Sequence, residues 1–372
     1  MNRVSGIGML VVAVGLFHSA TSVPGQLVTP TAAEDAGRPQ PPNIAGKPNA
    51  AVEYLKIWKG MPRDVVAKMS NEADPEHEAA LRDNQPLIES LLAVSEIKEC
   101  DWGLDYDAGM DLLLPELGHL RTSARLFAYD AVRLLETADA IKDDIKQQKA
   151  ARRLAAMWRV PTHVAGDRVL ISSLVGIAIS SLGEDRATEL MEEQKLSVSS
   201  AQIVLNAVRE FASRGDDPFG TRQSVLGEKE LMLGWVRREY TTGTDAGVRL
   251  AAKFAGESIS PLAKSRIESL NGEQVAGELD RLEPYYDKVL EAWDKPVPEG
   301  KAELDKLWQG LEDGEYGVLS NVLLPAFNKV YASHTKSMRD LKVFKKTLET
   351  YIANNGKLPE AVEEDATIPQ QK

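Results

Sequence analysis

One cysteine, Cys100, stands in 372 residues. A lone thiol cannot close an internal disulfide, so packing alone must hold the fold. It reads as a small buried apolar residue, and the one bridge open to it is intermolecular, in an oxidising compartment. Positive charge is also in deficit: 44 Lys and Arg against 56 Asp and Glu leave a net charge of −12. An acidic surface repels phosphate backbones and anionic lipids, which excludes nucleic acid as a partner. Beyond the N-terminus no apolar run is long enough to cross a bilayer. Val169 to Leu182 comes nearest, and it is too short and interrupted by serines, so no membrane span is expected after signal removal.

Catalytic signatures are missing too. There is no Gly-x-Ser-x-Gly, no HExxH and no phosphate-cradling glycine loop. His77, His119, His163 and His334 are scattered without a partner pattern. No catalytic residue can be named, and no cofactor is expected.

What is present begins with Arg3 and an apolar run, Ile7 to Phe17, followed by small residues at Ala20 and Ser22. This reads as a signal peptide over 1–25, cut between Val23 and Gln26, and predicts export to a periplasmic or extracellular space. An uncleaved anchor is the alternative. Residues 26–48 carry Pro30, Pro39, Pro41, Pro42 and Pro48 with little to bury, the composition of an extended, disordered linker.

From Asn49 to residue 358 the pattern is helical. Asn49 is a good N-cap for the first helix, Pro62 suits the start of a second, and Pro86 a third running toward Glu99. Leu113, Leu117, Leu120, Ala124, Phe127, Ala131 and Leu134 recur by four and three, which puts them on one helix face. Glu116, Arg121, Arg125, Asp130 and Arg133 fall between them and predict a solvated opposite face. A following helix ends near Trp158, making a helical hairpin with the first. Its charges, Lys142, Lys146, Lys149, Arg152, Arg153 and Arg159, read as a solvated face.

Val169 to Leu182 is apolar nearly all round and predicts a central buried helix, with Gly176 as the point of close approach. Further helices are expected over 184–195, 199–212, 223–240, 259–270, 273–293 and 325–354. Alternating apolar runs with hairpin turns are missing, which argues against a sheet. The fold class is therefore all-α: an array of antiparallel helices and helical hairpins. Gly215, Pro218 and Gly220 mark a candidate lobe boundary near 213–221, and 359–372 reads as a disordered tail. LLLP at 112–115 and VLLP at 322–325 each open a long helix, a weak internal echo.

Two patterns carry metal chemistry on paper. Glu116-Leu-Gly-His119 has the spacing of a helical di-iron pair, but no second Glu-x-x-His exists to complete it. Asp105, Asp107 and Asp111, with Glu116 eleven residues after Asp105, partly imitate a calcium loop. Met110 occupies the position that requires glycine, and Gly109 a ligand position. The structural alternative is a polar loop in which Asp111 caps the next helix. Asp105, Asp107, Asp111, Glu116 and His119 are thus the candidate metal residues.

Asn49-Ala-Ala with Tyr54, CDWGLDYDAG followed by LLLPELGHLR, LISSLVGIAI, and TLETYIANNGKLPE together resemble exported helical proteins of planctomycete-type bacteria, over most of the chain after residue 49. The resemblance implies a helical fold and export. It supplies no active residues. The leading expectation is a non-catalytic exported scaffold or protein-binding module. The alternatives are a helical hydrolase with a carboxylate-based site, or a metal-binding protein using 105–119.

Overall fold

The computed structural model describes residues 41–137, 139–254 and 259–359. The expected signal peptide, most of the linker and the tail after Pro359 lie outside them. Among the described residues there are fifteen α-helices and no strand.

Helix α1 (Ala50–Lys59) starts where the sequence placed it. The Asn49 side-chain oxygen accepts from the Ala51 and Asp101 backbone N–H at 3.1 and 3.0 Å. Its amide nitrogen donates to the Pro42 and Asp101 carbonyls, both at 2.9 Å. One side chain therefore caps a helix, offsetting an orphan N–H, and also pins the 99–101 segment against it. Helices α2 (Arg63–Met69), α3 (His77–Asp83) and α4 (Gln85–Ser95) follow. The last stops short of Glu99 because the chain leaves the helix to run past α1, where the Glu99 carbonyl accepts from Ala50 N–H at 2.9 Å.

Helix α5 (Pro115–Leu135) carries the apolar stripe. Leu117, Leu120, Ala124, Phe127 and Ala131 are buried, and Leu134 is half-buried. Leu113 precedes the helix and is exposed. The expected solvated face is a correction: Glu116 and Asp130 are fully buried, because α5 is covered on more than one side. Helix α6 (Asp144–Arg159) packs along it, and so does α7 (Leu170–Glu192). Arg153, expected on the solvated face of α6, is also fully buried. It meets Asp130, Gln85 and Glu89, the last two at 3.0 and 2.8 Å.

Helix α7 is the central element, in contact with α5, α6, α9 (Thr221–Tyr240) and α15 (Phe327–Ala353). Leu170, Leu174, Val175, Ile177 and Ile179 are buried. The helix does not break near 183 but runs on to Glu192, so the separate helix expected over 184–195 is its second half. The point of close approach also moves. A Cβ on Gly176 would meet Pro161 and Val164 at an ordinary 3.5 Å, whereas one on Gly183 would stand 2.5 Å from Met157 Cβ.

The remaining helices are α8 (Val198–Ala212), α10 (Ala246–Lys253), α11 (Pro261–Glu268), α12 (Gly272–Trp293), α13 (Val297–Glu312) and α14 (Ser320–Leu323). Three of them, α10, α13 and α14, had no sequence expectation. Buried apolar residues form one cluster from Ala50 to Tyr351. Phe211 and Phe219, on either side of the 213–221 break, pack edge to face at 5.0 Å. No helix among the described residues is long and apolar enough to cross a membrane.

Candidate functional site

The chemistry-bearing residues of the 100–119 stretch part company in the fold. Asp105 accepts from the Asp107 N–H at 3.1 Å and so caps a short 3-10 turn over Tyr106–Asp111. Asp107 lies 3.3 Å from Arg238, and Asp111 lies 2.6 Å from Lys253. Asp111 does not cap α5, whose N-cap position is Leu114. The turn is held down by Gly109, where a Cβ would stand 2.1 Å from the Trp235 ring. Among the described residues no group of three or more His, Cys, Asp or Glu side chains is placed to hold a metal ion.

Glu116 and His119 belong elsewhere, in a site walled by aromatic rings. His119 stacks on Trp58 at 4.8 Å, Trp58 on Trp102 at 5.7 Å, and Tyr54 on both at 5.0 and 6.0 Å. All four ring planes lie within 17° of their stacked neighbours. The indole N–H groups fix the slab: Trp58 donates to Ser123 Oγ at 3.4 Å and Trp102 to the His163 carbonyl at 2.9 Å. His163 meets the Tyr54 ring edge-on at 5.6 Å, and its Nε2 bonds the Ile97 carbonyl at 2.8 Å.

Four residues after His163 comes Asp167, buried like Glu116. Its backbone carbonyl accepts from the Tyr106 hydroxyl at 2.5 Å. The loop carrying it is seated on α9 through two glycines one heptad apart. A Cβ at Gly220 would stand 2.2 Å from the Ala165 carbonyl oxygen, and one at Gly227 would stand 2.1 Å from that of Arg168. Both approaches require the absence of a side chain.

The electrostatics confirm which groups share this interior. Burial first, then Asp167, with smaller contributions from Asp101 and Glu116, holds the Cys100 thiol well above the usual thiol range, against a hydrogen bond from Ala51. The Tyr106 phenol is pushed up to about 12 by burial, then Asp167, with Arg168 opposing. Burial pushes His163 down to about 4, against its bond to Ile97. Tyr54 is raised by burial and then by Cys100; its hydroxyl is fully buried and has no hydrogen-bond partner among the described residues.

Sequence reasoning named Glu116 and His119 but not the company they keep. Tyr54 and Trp102 entered only among the segments of the resemblance, and neither Trp58 nor Asp167 carried a motif. The signal that was available is the density of aromatic and acidic residues in the CDWGLDY segment.

A separate cleft of about 370 Å³ lies between α11, α12 and the 314–318 turn, lined by Leu262, Ala263 and Val318 with Arg266 and Arg281 at its edge. Its one carboxylate, Glu278, is spent on the Val318 N–H at 2.6 Å and Arg281 at 2.8 Å. No protein family, curated protein or solved structure matches this chain.

Proposed function

We propose that this protein is a non-catalytic, exported binding module with a protein partner. The supporting observation is the state of the reactive groups in the aromatic site. The Cys100 thiol and Tyr106 phenol are pushed up, away from their nucleophilic anions, and His163 is pushed down and tied to a carbonyl. A covalent catalyst needs the opposite: a nucleophile with a lowered pKa or an adjacent base. Tyr106, 39% exposed, stands on the adjoining segment as an aromatic of the kind enriched at interface hot spots, and Leu113, 59% exposed, adds apolar area on the same segment. Export rests on the apolar run Ile7 to Phe17 and the proline-rich stretch behind it.

The test is affinity purification of the tagged chain from its native host with mass spectrometry, beside a Leu113→Asp variant. A reproducible partner lost with Leu113→Asp supports the reading. Hydrolysis of an ester, glycoside or peptide substrate by the pure protein, abolished in Glu116→Gln, overturns it.

A further inference from the structure

The cleft between α11 and α12 runs against the charge of the chain as a whole. Over the full sequence 56 acidic residues outnumber 44 basic ones, yet the cleft is lined by two arginines and one carboxylate. That carboxylate is already committed. Glu278, 7% exposed, accepts from the Val318 N–H at 2.6 Å and from Arg281 Nη1 at 2.8 Å. Gly317 approaches it so closely that a Cβ there would stand 2.1 Å from Glu278 Oε2. Glu278 thus fixes the 314–318 turn and the Arg281 guanidinium together. One bond of the Arg281 fork is used in this way, and the fork carries further donors.

The second arginine comes from the other helix. Leu262 and Arg266 stand four residues apart on α11 and so share one face of it. The one acidic residue of α11, Glu268, pairs with Lys264 at 3.8 Å and not with Arg266. Leu262 is 64% exposed, a large apolar side chain beside an open cavity. At about 370 Å³ the cavity falls in the range of small-ligand sites, about 300–1,000 Å³. Such sites combine apolar walls with a few polar groups that fix orientation. Here Leu262, Ala263 and Val318 supply the walls, and the arginines supply the polar groups. Two arginines less one glutamate leave a single net positive charge, which one carboxylate balances. Guanidinium also matches carboxylate geometrically, by paired N–H bonds. An inorganic anion would leave the apolar walls unused.

We propose that this cleft binds a monocarboxylate carried on a short branched apolar group. Arg266 and Arg281 take the carboxylate, and Leu262, Ala263 and Val318 take the apolar group. The site is separate from the aromatic one, so the proposal goes beyond the partner reading and does not depend on it. Two sources supply this chemistry: the C-terminus of a peptide that ends in an apolar residue, and a free branched carboxylic acid.

Calorimetric titration of the full chain with N-acetyl-alanyl-leucine, its neutral C-terminal amide and 4-methylpentanoate tests this. The expected result is saturable binding of at least one acid, with the dipeptide acid about tenfold or more tighter than its amide wherever it binds. A dipeptide acid that binds more tightly than 4-methylpentanoate assigns the site to a peptide C-terminus; equal or tighter binding of 4-methylpentanoate assigns it to a free acid. Arg266→Gln should weaken the bound acid by about tenfold, since a charge-assisted pair is lost. Leu262→Asp should weaken it at least as much, by removing the apolar wall and repelling the carboxylate. Both side chains are exposed, so neither variant puts the fold at stake. Absence of saturable binding of both acids, equal binding of the dipeptide acid and its amide, or an affinity unchanged in both variants overturns the proposal. The partner reading is decided separately, by capture of a protein that Leu113→Asp loses.

Discussion

The Arg153 guanidinium and the Asp130 carboxylate form an ion pair in which both side chains are wholly shielded from solvent. Asp130 also accepts from Gln85 at 2.8 Å and Arg133 at 2.7 Å, so its second oxygen is satisfied too. The pair ties α5 to α6, and Gln85 and Glu89 extend it to α4. Removing one partner strands a buried charge, which costs about 3–5 kcal/mol against a total stability of roughly 5–15. Asp130→Ala should therefore lower the thermal midpoint steeply. Arg152→Ala, one residue away and exposed, should change stability by about 0.5 kcal/mol or less. Circular dichroism melts of the two variants provide the check.

Two glycines of α7 should respond oppositely to the same substitution. Gly183→Ala drives a methyl to 2.5 Å from Met157 Cβ and should cost about 1–3 kcal/mol. Gly176→Ala meets nothing nearer than 3.5 Å and should be neutral or gain up to about 1 kcal/mol from helix propensity. Chemical denaturation curves with equal slopes would report this directly; a larger loss at Gly176 would reverse the packing assigned to α7.

Glu184 and Glu228 are both raised to about 7, by burial first in each case. Glu184 accepts from Ser180 at 3.2 Å with Asp340 and Asp185 nearby, and Glu228 reaches the Leu170 N–H at the start of α7 at 3.5 Å. A carboxyl whose folded pKa lies above its unfolded value binds more protons when folded, so its contribution is full below about 4.5 and is lost as pH climbs through 7. At about 1.4 kcal/mol per pKa unit, each loss is at most on the order of 3 kcal/mol. Glu184→Gln and Glu228→Gln should each flatten the fall in stability between pH 5 and about 8, measured by urea titration at several pH values.

Cys100 should resist alkylation in the native protein. Its thiol is raised well above the usual range, and the thiolate is the reactive species. Iodoacetamide at about pH 8 should label it slowly in buffer and fast in denaturant. Rapid native labelling would contradict both the environment described and the inert role given to the site.

The calcium-like loop should be indifferent to calcium. Asp107 and Asp111 already pair with Arg238 and Lys253. A ligand selective for the native state must raise apparent stability, so calcium and a chelator should leave the melting temperature unchanged. A saturable rise that vanishes in Asp105→Ala would restore the metal reading.

Helix class, the cap at Asn49 and the central burial of α7 were legible in the sequence because each depends on local spacing or local chemistry. The faces of α5 and α6 were not. Periodicity assumes a helix with one covered side, and Asp130 and Arg153 fill the side that a second neighbour covers. The continuity of α7 through Gly183 was hidden for a similar reason: that glycine marks tight packing on Met157, not a helix end. The candidate site was half legible. Glu116 and His119 stood out by their spacing, but Trp58 meets His119 61 positions away and Asp167 meets Tyr106 61 positions away, contacts that no local pattern encodes.

The Asn49 staple also settles how anything attached to this fold would be presented. The described chain enters beside Asp101, through the bond from Asn49 to Pro42, and ends near Val198, which Gly356 approaches. Helix α8 starts at Val198, and its Glu210 lies 3.5 Å from Lys98, close to the entry point. Twelve residues of helix separate those two marks, roughly 18 Å at 1.5 Å per residue. Cargo fused directly ahead of Pro42 would emerge beside Asp101 and the exposed Tyr106 segment, while cargo fused directly after Pro359 would emerge beside the start of α8, so a purification tag belongs at the far end.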